Sequence, residues 1–213
     1  MHFLSEALQN YITDHSQVEP EYLRALARET HLKVVQPRMI TGHYQGRVLS
    51  MLSKLIRPCN ILEIGTYTGY SAICLAEGLQ PEGQLHTVEI NEELEDIQKR
   101  YFDQSPNAAQ IISHIGDALD LVPRMDLKFD LAFIDAGKTD YDLHFENAYK
   151  KMKSGGIILS DNVLWSGKVI TTAPPADKAT QALQAYNQKL MQDPRVETVI
   201  LPVRDGLTLS RVL

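Results

Sequence analysis

Cysteine is scarce in this 213-residue chain: only Cys59 and Cys74 occur, too few and too isolated for a disulfide framework. Both sit in apolar neighbourhoods, which predicts reduced, buried thiols. Long hydrophobic runs are also missing, and none approaches the roughly 18 apolar residues of a membrane-spanning helix. The opening MHFLSEALQNYITDHS has neither the basic start nor the apolar stretch of a secretory leader, so a cytoplasmic location is expected. Positive charge is in deficit: 21 Lys and Arg against 27 Asp and Glu leave a net charge of −6. That balance disfavours a sequence-independent grip on nucleic acid or on an anionic membrane. A hydrophobic content of 44% at this modest charge excludes a disordered chain. With no repeat or long linker, the chain reads as one domain over 1–213, a helical segment 1–35 leading into a core over 36–213.

Periodicity supplies the elements. Phe3, Leu4, Ala7, Leu8, Tyr11 and Ile12 share one helical stripe, and Tyr22, Leu23, Leu26 and Ala27 face inward on a second helix from Pro20. A loop over Gln36–Gly42 precedes a helix over Gly46–Ile56. Short apolar strands are predicted at Ile61–Ile64, Leu85–Glu89, Gln110–Ile115, Leu131–Ile134 and Ile157–Ser160. Helices fall between them: one running to Leu79, one capped by Asn91, and one carrying Tyr141, Phe145, Ala148, Tyr149 and Met152 that stops at Gly155-Gly156. A further helix bears Ala179, Leu183, Tyr186 and Leu190, and Val196–Leu201 with Leu207–Val212 form a closing hairpin candidate. Strands alternating with amphipathic helices predict a mostly parallel sheet covered on both faces, whose ligands bind at the carboxyl ends of the strands.

Chemistry is concentrated at those ends. Gly65-Thr66-Tyr67-Thr68-Gly69 follows the first strand, a tight turn before a helix start, but it lacks the middle glycine of the dinucleotide fingerprint and the Gly-Lys-Ser/Thr of a P-loop. Glu89 lies 20 residues beyond Gly69, where a carboxylate accepts both ribose hydroxyls of an adenosine-containing ligand. Alone it reads as a solvated acid; with the glycine turn it reads as a ligand. Asp117-Ala118 ends the third strand and suits an adenine amino group beside a small residue, with a helix N-cap as an equally good use of Asp117. Asp135 ends the fourth strand and Asp161-Asn162 the fifth. These oxygen donors at neighbouring ends suit a hard cation, Mg²⁺ or Ca²⁺, rather than zinc. The seven histidines form no pair at metal-ligand spacing.

Seven stretches now form a pattern: MITGHYQG, ILEIGTYTGYSAICLAEGL, GQLHTVEI, GDAL, FDLAFIDAGKTDY, KSGGIILSDNVLWSGKV and DPRVETVILPVRDGLTL. The run from Met39 to Val212, about four-fifths of the chain, resembles the cation-dependent O-methyltransferases that include the catechol and caffeoyl-coenzyme A enzymes. The resemblance implies a Rossmann-like class I methyltransferase fold: an α/β domain with seven strands, the last antiparallel, and S-adenosylmethionine across the strand ends. Carried over residue by residue, it implies that Thr41, Glu63, Gly65, Thr66, Ser71, Glu89, Asp117, Ala118 and Asp135 contact the cofactor, with Tyr67 on the same wall. Asp135, Asp161 and Asn162 match the metal ligands for Mg²⁺ (Ca²⁺ or Mn²⁺ in its place), and Lys138 the catalytic lysine. The implied acceptor is a small vicinal aromatic diol, and the implied assembly is a homodimer. Gly137 departs from the family, many of whose members carry a second aspartate there. Trp165 reads equally well as an aromatic wall or a loop anchor, and His43 and Tyr44 stay open.

Three other readings compete. A nicotinamide-dependent oxidoreductase lacks support, since the middle glycine and a Tyr-x-x-x-Lys pair are missing. A nucleic-acid methyltransferase would show a basic face. A non-catalytic adenosine-binding or dimerisation module would have no need of the strand-end oxygens and Lys138.

Overall fold

Alternation along each strand sorts side chains onto two faces, and each face is buried under its own helices. In this computed structural model, which describes residues 5–172, 174 and 176–213, seven strands form one sheet in the order β3-β2-β1-β4-β5-β7-β6. They are β1 (Asn60–Ile64), β2 (Gln84–Glu89), β3 (Ile111–Ile115), β4 (Phe129–Ile134), β5 (Met152–Asp161), β6 (Val196–Leu201) and β7 (Leu207–Val212). All pairings are parallel except those of β7 with β5 and with β6. Ile61, Leu85, Leu131, Phe133 and Leu159 face α2 (Glu21–Lys33), α3 (His43–Ile56), α4 (Tyr70–Ala76) and α5 (Glu95–Phe102). Leu62, Ile64, Val88, Ala132 and Ile158 face α6 (Ala118–Arg124), α7 (Tyr141–Lys151) and α8 (Lys178–Gln192). Order of magnitude, each such buried Leu, Ile, Val or Phe side chain contributes about 1.5–3 kcal/mol.

Several expectations need correction. The helix bearing Tyr141 ends at Lys151, and Gly155-Gly156 lie inside β5 rather than at a helix end. The register jumps there, from Phe129↔Met152 to Leu131↔Ile157, and Gly155 (φ +78°) absorbs the bulge in a conformation other residues resist. α3 begins at His43, one turn early, and α4 ends at Ala76, short of Leu79. α6 is a helix the periodicity did not show. α1 (Glu6–Asp14) forms, but it buries none of its residues, and Leu8 and Tyr11 are 46% and 59% exposed. Its stripe has no sheet beneath it. Phe3 and Leu4 lie outside the described residues. The cysteines are free, Cys74 buried and Cys59 half-buried. Among the described residues no helix is long and apolar enough to cross a membrane.

Candidate active site

Register, more than any single motif, assembles the site. Ile64 pairs with Val88 on one side and Ile134 on the other, Glu89 pairs with Ile115, and Ile134 with Ser160. The next residues along each strand therefore stand in a row: Asp117 after β3, Glu89 on β2, Gly65 after β1, Asp135 after β4 and Asp161 ending β5. β1 lies between β2 and β4, the point where the winding reverses and a crevice opens. Main-chain bonds lock the row, with Gly65 N–H donating to Val88 O (3.0 Å), Asp135 N–H to Ile64 O (2.8 Å) and Gly116 N–H to Glu89 O (2.8 Å). Gly65 (φ +95°) admits no side chain, because a Cβ there would stand 2.0 Å from Asp135 O.

Glu89 accepts the N–H groups of Tyr67 (2.7 Å) and Asn91 (2.9 Å), which orient its carboxylate and leave further lone pairs. Asp117 caps α6, accepting from Leu119 N–H at 2.8 Å. The cap assignment for it therefore holds, and Ala118 follows as the first helical residue. Tyr67 (φ +50°) donates its hydroxyl to the carbonyls of Val35 and Gln36 and so ties the turn to the loop before α3. Met39, Thr41, Gly65, Thr66, Ser71 and Asp135 line a narrow cleft over the row, with Tyr67 on its wall.

Glu63 is on the α4 face and fully buried. Thr87 Oγ1 donates to its Oε2 at 2.5 Å, whereas Oε1 has no hydrogen-bond partner. Burial, with the charges of Asp135 and Glu89 adding to it against the hydroxyls of Ser71 and Thr87, pushes its pKa up to about 8. The folded chain thus keeps a proton that the unfolded chain releases near the usual carboxylate value, so stability falls as pH rises from about 4.5 to about 8. Glu63→Gln is expected to flatten part of that slope and to raise the melting temperature of the ligand-free protein at pH 8, by about 2–4 °C per kcal/mol recovered. Melting curves from pH 5 to 9 check it; an unchanged slope would contradict the assignment.

Beyond Asp135 the chain enters a short 3-10 turn (Lys138–Asp140) that swings Lys138 back over the strand end. Lys138 Nζ donates to Asp135 Oδ1 (2.8 Å) and to Tyr141 Oη (2.6 Å), and its side chain is only 10% exposed. Tyr141 in turn donates to Asp161 O at 2.6 Å and offers its ring to the ammonium at 4.5 Å. Asp161 is buried, and that burial together with the Asp135 charge holds its carboxyl above the ordinary range, opposed by Lys138 and Gln45. Asn162 follows in a left-handed conformation (φ +59°). An aspartate at Gly137 would be tolerated: φ is −55°, and a Cβ would meet only Asp140 Oδ2 at 3.9 Å. The backbone does not require the glycine.

Three contributors escaped the sequence reading. Tyr141 was assigned to a buried helical stripe, although its place three residues after Lys138 was visible. Gln45 is buried near Asp161, and its amide nitrogen makes no hydrogen bond. Arg204 donates from Nη1 to Ile40 O (3.1 Å), to Thr41 O and to Gln45 Oε1 (3.2 Å), so a residue near the C-terminus holds the loop bearing Thr41. Trp165 packs against the core cluster containing Tyr141, Leu183 and Tyr186, which favours its role as a loop anchor. Ala173 and Pro175 of the 170–178 loop lie outside the described residues. His86 and His114, 28 residues apart, are brought to 3.0 Å by the β2–β3 register.

A larger cavity of about 510 Å³ opens beside the cleft, lined by Ile12 of α1, Arg38, His43, Tyr44 and Arg204. Ile40 and Thr41 belong to the walls of both.

Comparison with known proteins agrees with this geometry. The model of an O-methyltransferase family matches residues 13–213, starting well before the Met39 at which the motifs begin. Caffeoyl-CoA O-methyltransferase 5 of Nicotiana tabacum is 35% identical, covering 97% of this chain and 91% of its own length. Caffeoyl-CoA O-methyltransferase 2 of Petunia hybrida is 36% identical, with 97% and 90% covered. Among solved structures, the O-methyltransferase TomG of Streptomyces achromogenes, in complex with SAM, superposes with a TM-score of 0.90 at 29% identity, over 98% of this chain and 99% of that one. The O-methyltransferase from Bacillus cereus, in complex with SAH, gives 0.89 at 29% identity, over 97% of each.

Proposed function

Since the chain belongs to the O-methyltransferase family and is an S-adenosylmethionine-dependent enzyme of it, we propose that it methylates one hydroxyl of a vicinal aromatic diol, with a hard divalent cation at the strand ends. One observation carries this reading: Lys138, Asp135 and Asp161 converge where β4 and β5 end, with Lys138 Nζ 2.8 Å from Asp135 Oδ1. The donor set fits the cation. Two like-charged carboxylates repel each other, one buried, and Lys138 is the cation that offsets them. Asn162 adds an amide oxygen. Such all-oxygen donors suit Mg²⁺, Ca²⁺ or Mn²⁺. Among the described residues no group of three His, Cys, Asp or Glu side chains is placed to hold a metal ion, so a cation here would rest on two carboxylates and the Asn162 amide.

The division of labour follows. Glu89 holds the ribose hydroxyls of S-adenosylmethionine, and Asp117 with Ala118 borders the adenine. Thr41, Glu63, Gly65, Thr66 and Ser71 surround its methionine portion, with Asp135 at the far end. A bound divalent cation supplies Lewis-acid stabilisation of the acceptor's phenolate. Beside a bound cation the Lys138 ammonium would first release a proton to solvent, and the resulting neutral amine, held in place by Asp135 and Tyr141, would take the hydroxyl proton at Nζ. Fixing both reactants in line contributes further, about 7–11 kcal/mol in favourable cases. The tobacco and petunia relatives are named for a caffeoyl acceptor, and a caffeoyl ring carries such a diol.

A panel of catechol, caffeate and a caffeoyl thioester against matched monophenols, each with S-adenosylmethionine and Mg²⁺, tests the reading. Transfer to the diols and not to the monophenols is expected. Failure with every diol would leave an O-methyltransferase of another acceptor class.

A further inference from the structure

We propose that the cavity beside the cofactor cleft is an oxyanion subsite, taking a carboxylate or phosphate group on the acceptor through the guanidinium of Arg38, with Arg204 and the Tyr44 hydroxyl completing it. The inference rests on the reading of an aromatic acceptor and adds to it the charge that the acceptor bears.

The location is the first support. Ile40 and Thr41 wall both the cleft and the cavity, so a molecule in the cavity lies next to the cleft that Asp135 lines. The size is the second. At about 510 Å³ the cavity falls in the range of sites that bury an extended organic ligand, more than a bare diphenol fills.

Charge is the third and decides the class. The chain carries a net charge of −6, yet no Asp or Glu lines this cavity among the described residues, while Arg38, Arg204, His31 and His43 do. A local reversal of sign inside a concave wall concentrates the field on an anion. The histidines each spend one ring nitrogen on a backbone carbonyl, His31 on Ala27 O (2.8 Å) and His43 on Gln17 O (2.7 Å). The arginines, charged at any working pH, supply the fixed positive charge. Arg204 commits Nη1 to the loop carbonyls and Gln45, which fixes its fork at the cavity wall. Arg38 stands in the short 3-10 turn Pro37–Met39, and no hydrogen bond or ion pair engages its side chain among the described residues. A planar fork with five uncommitted donors matches a carboxylate or phosphate in a bidentate manner.

Direct binding separates this inference from catalysis. Cinnamate and its neutral isostere cinnamamide, neither of which has a diol, are titrated calorimetrically into the full chain with S-adenosylhomocysteine present. Phenyl phosphate serves as the phosphate probe. Cinnamate is expected to bind about tenfold more tightly than cinnamamide, the scale of one charge-assisted hydrogen bond. The preference should weaken with added salt, collapse to about threefold or less in Arg38→Ala, and survive in part in Arg38→Lys, which keeps charge without the fork. Phenyl phosphate outbinding cinnamate would assign a phosphate, and the reverse order a carboxylate. Equal binding of acid and amide, no binding of any probe, or an undiminished preference in an Arg38→Ala protein of unchanged melting temperature would overturn the subsite. Because no probe is methylated, a failed diol panel sinks the proposed acceptor without deciding this result.

Discussion

Lys138→Ala is expected to lower kcat by about 10²–10⁴-fold, the usual worth of a positioned general base, while the affinity for S-adenosylmethionine changes far less. The separation follows from where Lys138 stands. Its ammonium touches Asp135 Oδ1 and Tyr141 Oη but does not itself line the narrow cleft, whose residues other than Asp135 come from the Gly65 turn, the start of α4 and the Thr41 loop. Removing it also takes away the cation that offsets the Asp135–Asp161 repulsion, so cofactor binding and melting temperature are measured alongside turnover at saturating Mg²⁺. Near-normal kcat in that variant would remove Lys138 from the chemistry and return it to the role of a structural counter-ion.

The second large effect concerns the paired carboxylates. Asp161→Ala combined with Asn162→Ala should abolish any response to added Mg²⁺, with a loss of several kcal/mol of activation, on the order of 10²-fold or more in rate. The wild-type response has a predictable pH dependence. Asp161 is held above the ordinary carboxylate range by burial and by Asp135, and a carboxylate must be ionised to bind a cation. Cation affinity therefore rises as pH climbs through the elevated Asp161 transition. Wild-type activity that persists unchanged in EDTA would sink the metal reading, and a Mg²⁺ response retained by the double variant would sink the choice of ligands.

The two ends of the chain were not equally legible. Strand and helix alternation from Asn60 onward, α6 apart, is legible directly, because apolar residues at period two and near 3.6 must be buried on matching faces. The stripe on α1 looked the same, yet none of its described residues is fully buried: amphipathicity reports a face that wants cover, not the cover available. The end of α7 was misplaced because Gly155-Gly156 served a register shift between β4 and β5, and a glycine pair does not announce which of its two uses applies.

What the sequence by itself determined is the placing of Glu89, Asp117, Asp135, Asp161 and Asn162 at strand ends, while Glu63 and Lys138 stood out only through the family resemblance. Those residues also give the acidic excess part of its meaning, since several of the acids lie along one edge of one sheet. Only the tertiary structure decided their order and their company. Parallel register aligned five strand ends into a row, the 3-10 turn after Gly137 folded Lys138 back onto Asp135, and Tyr141 came to bridge Lys138 and the Asp161 carbonyl. Arg38 and Arg204, 166 positions apart in the chain, meet at one cavity because the edge of the β6–β7 hairpin packs against the loop before α3. Local sequence sets what each side chain can do; pairings between distant segments, which no local periodicity encodes, set what it does it to.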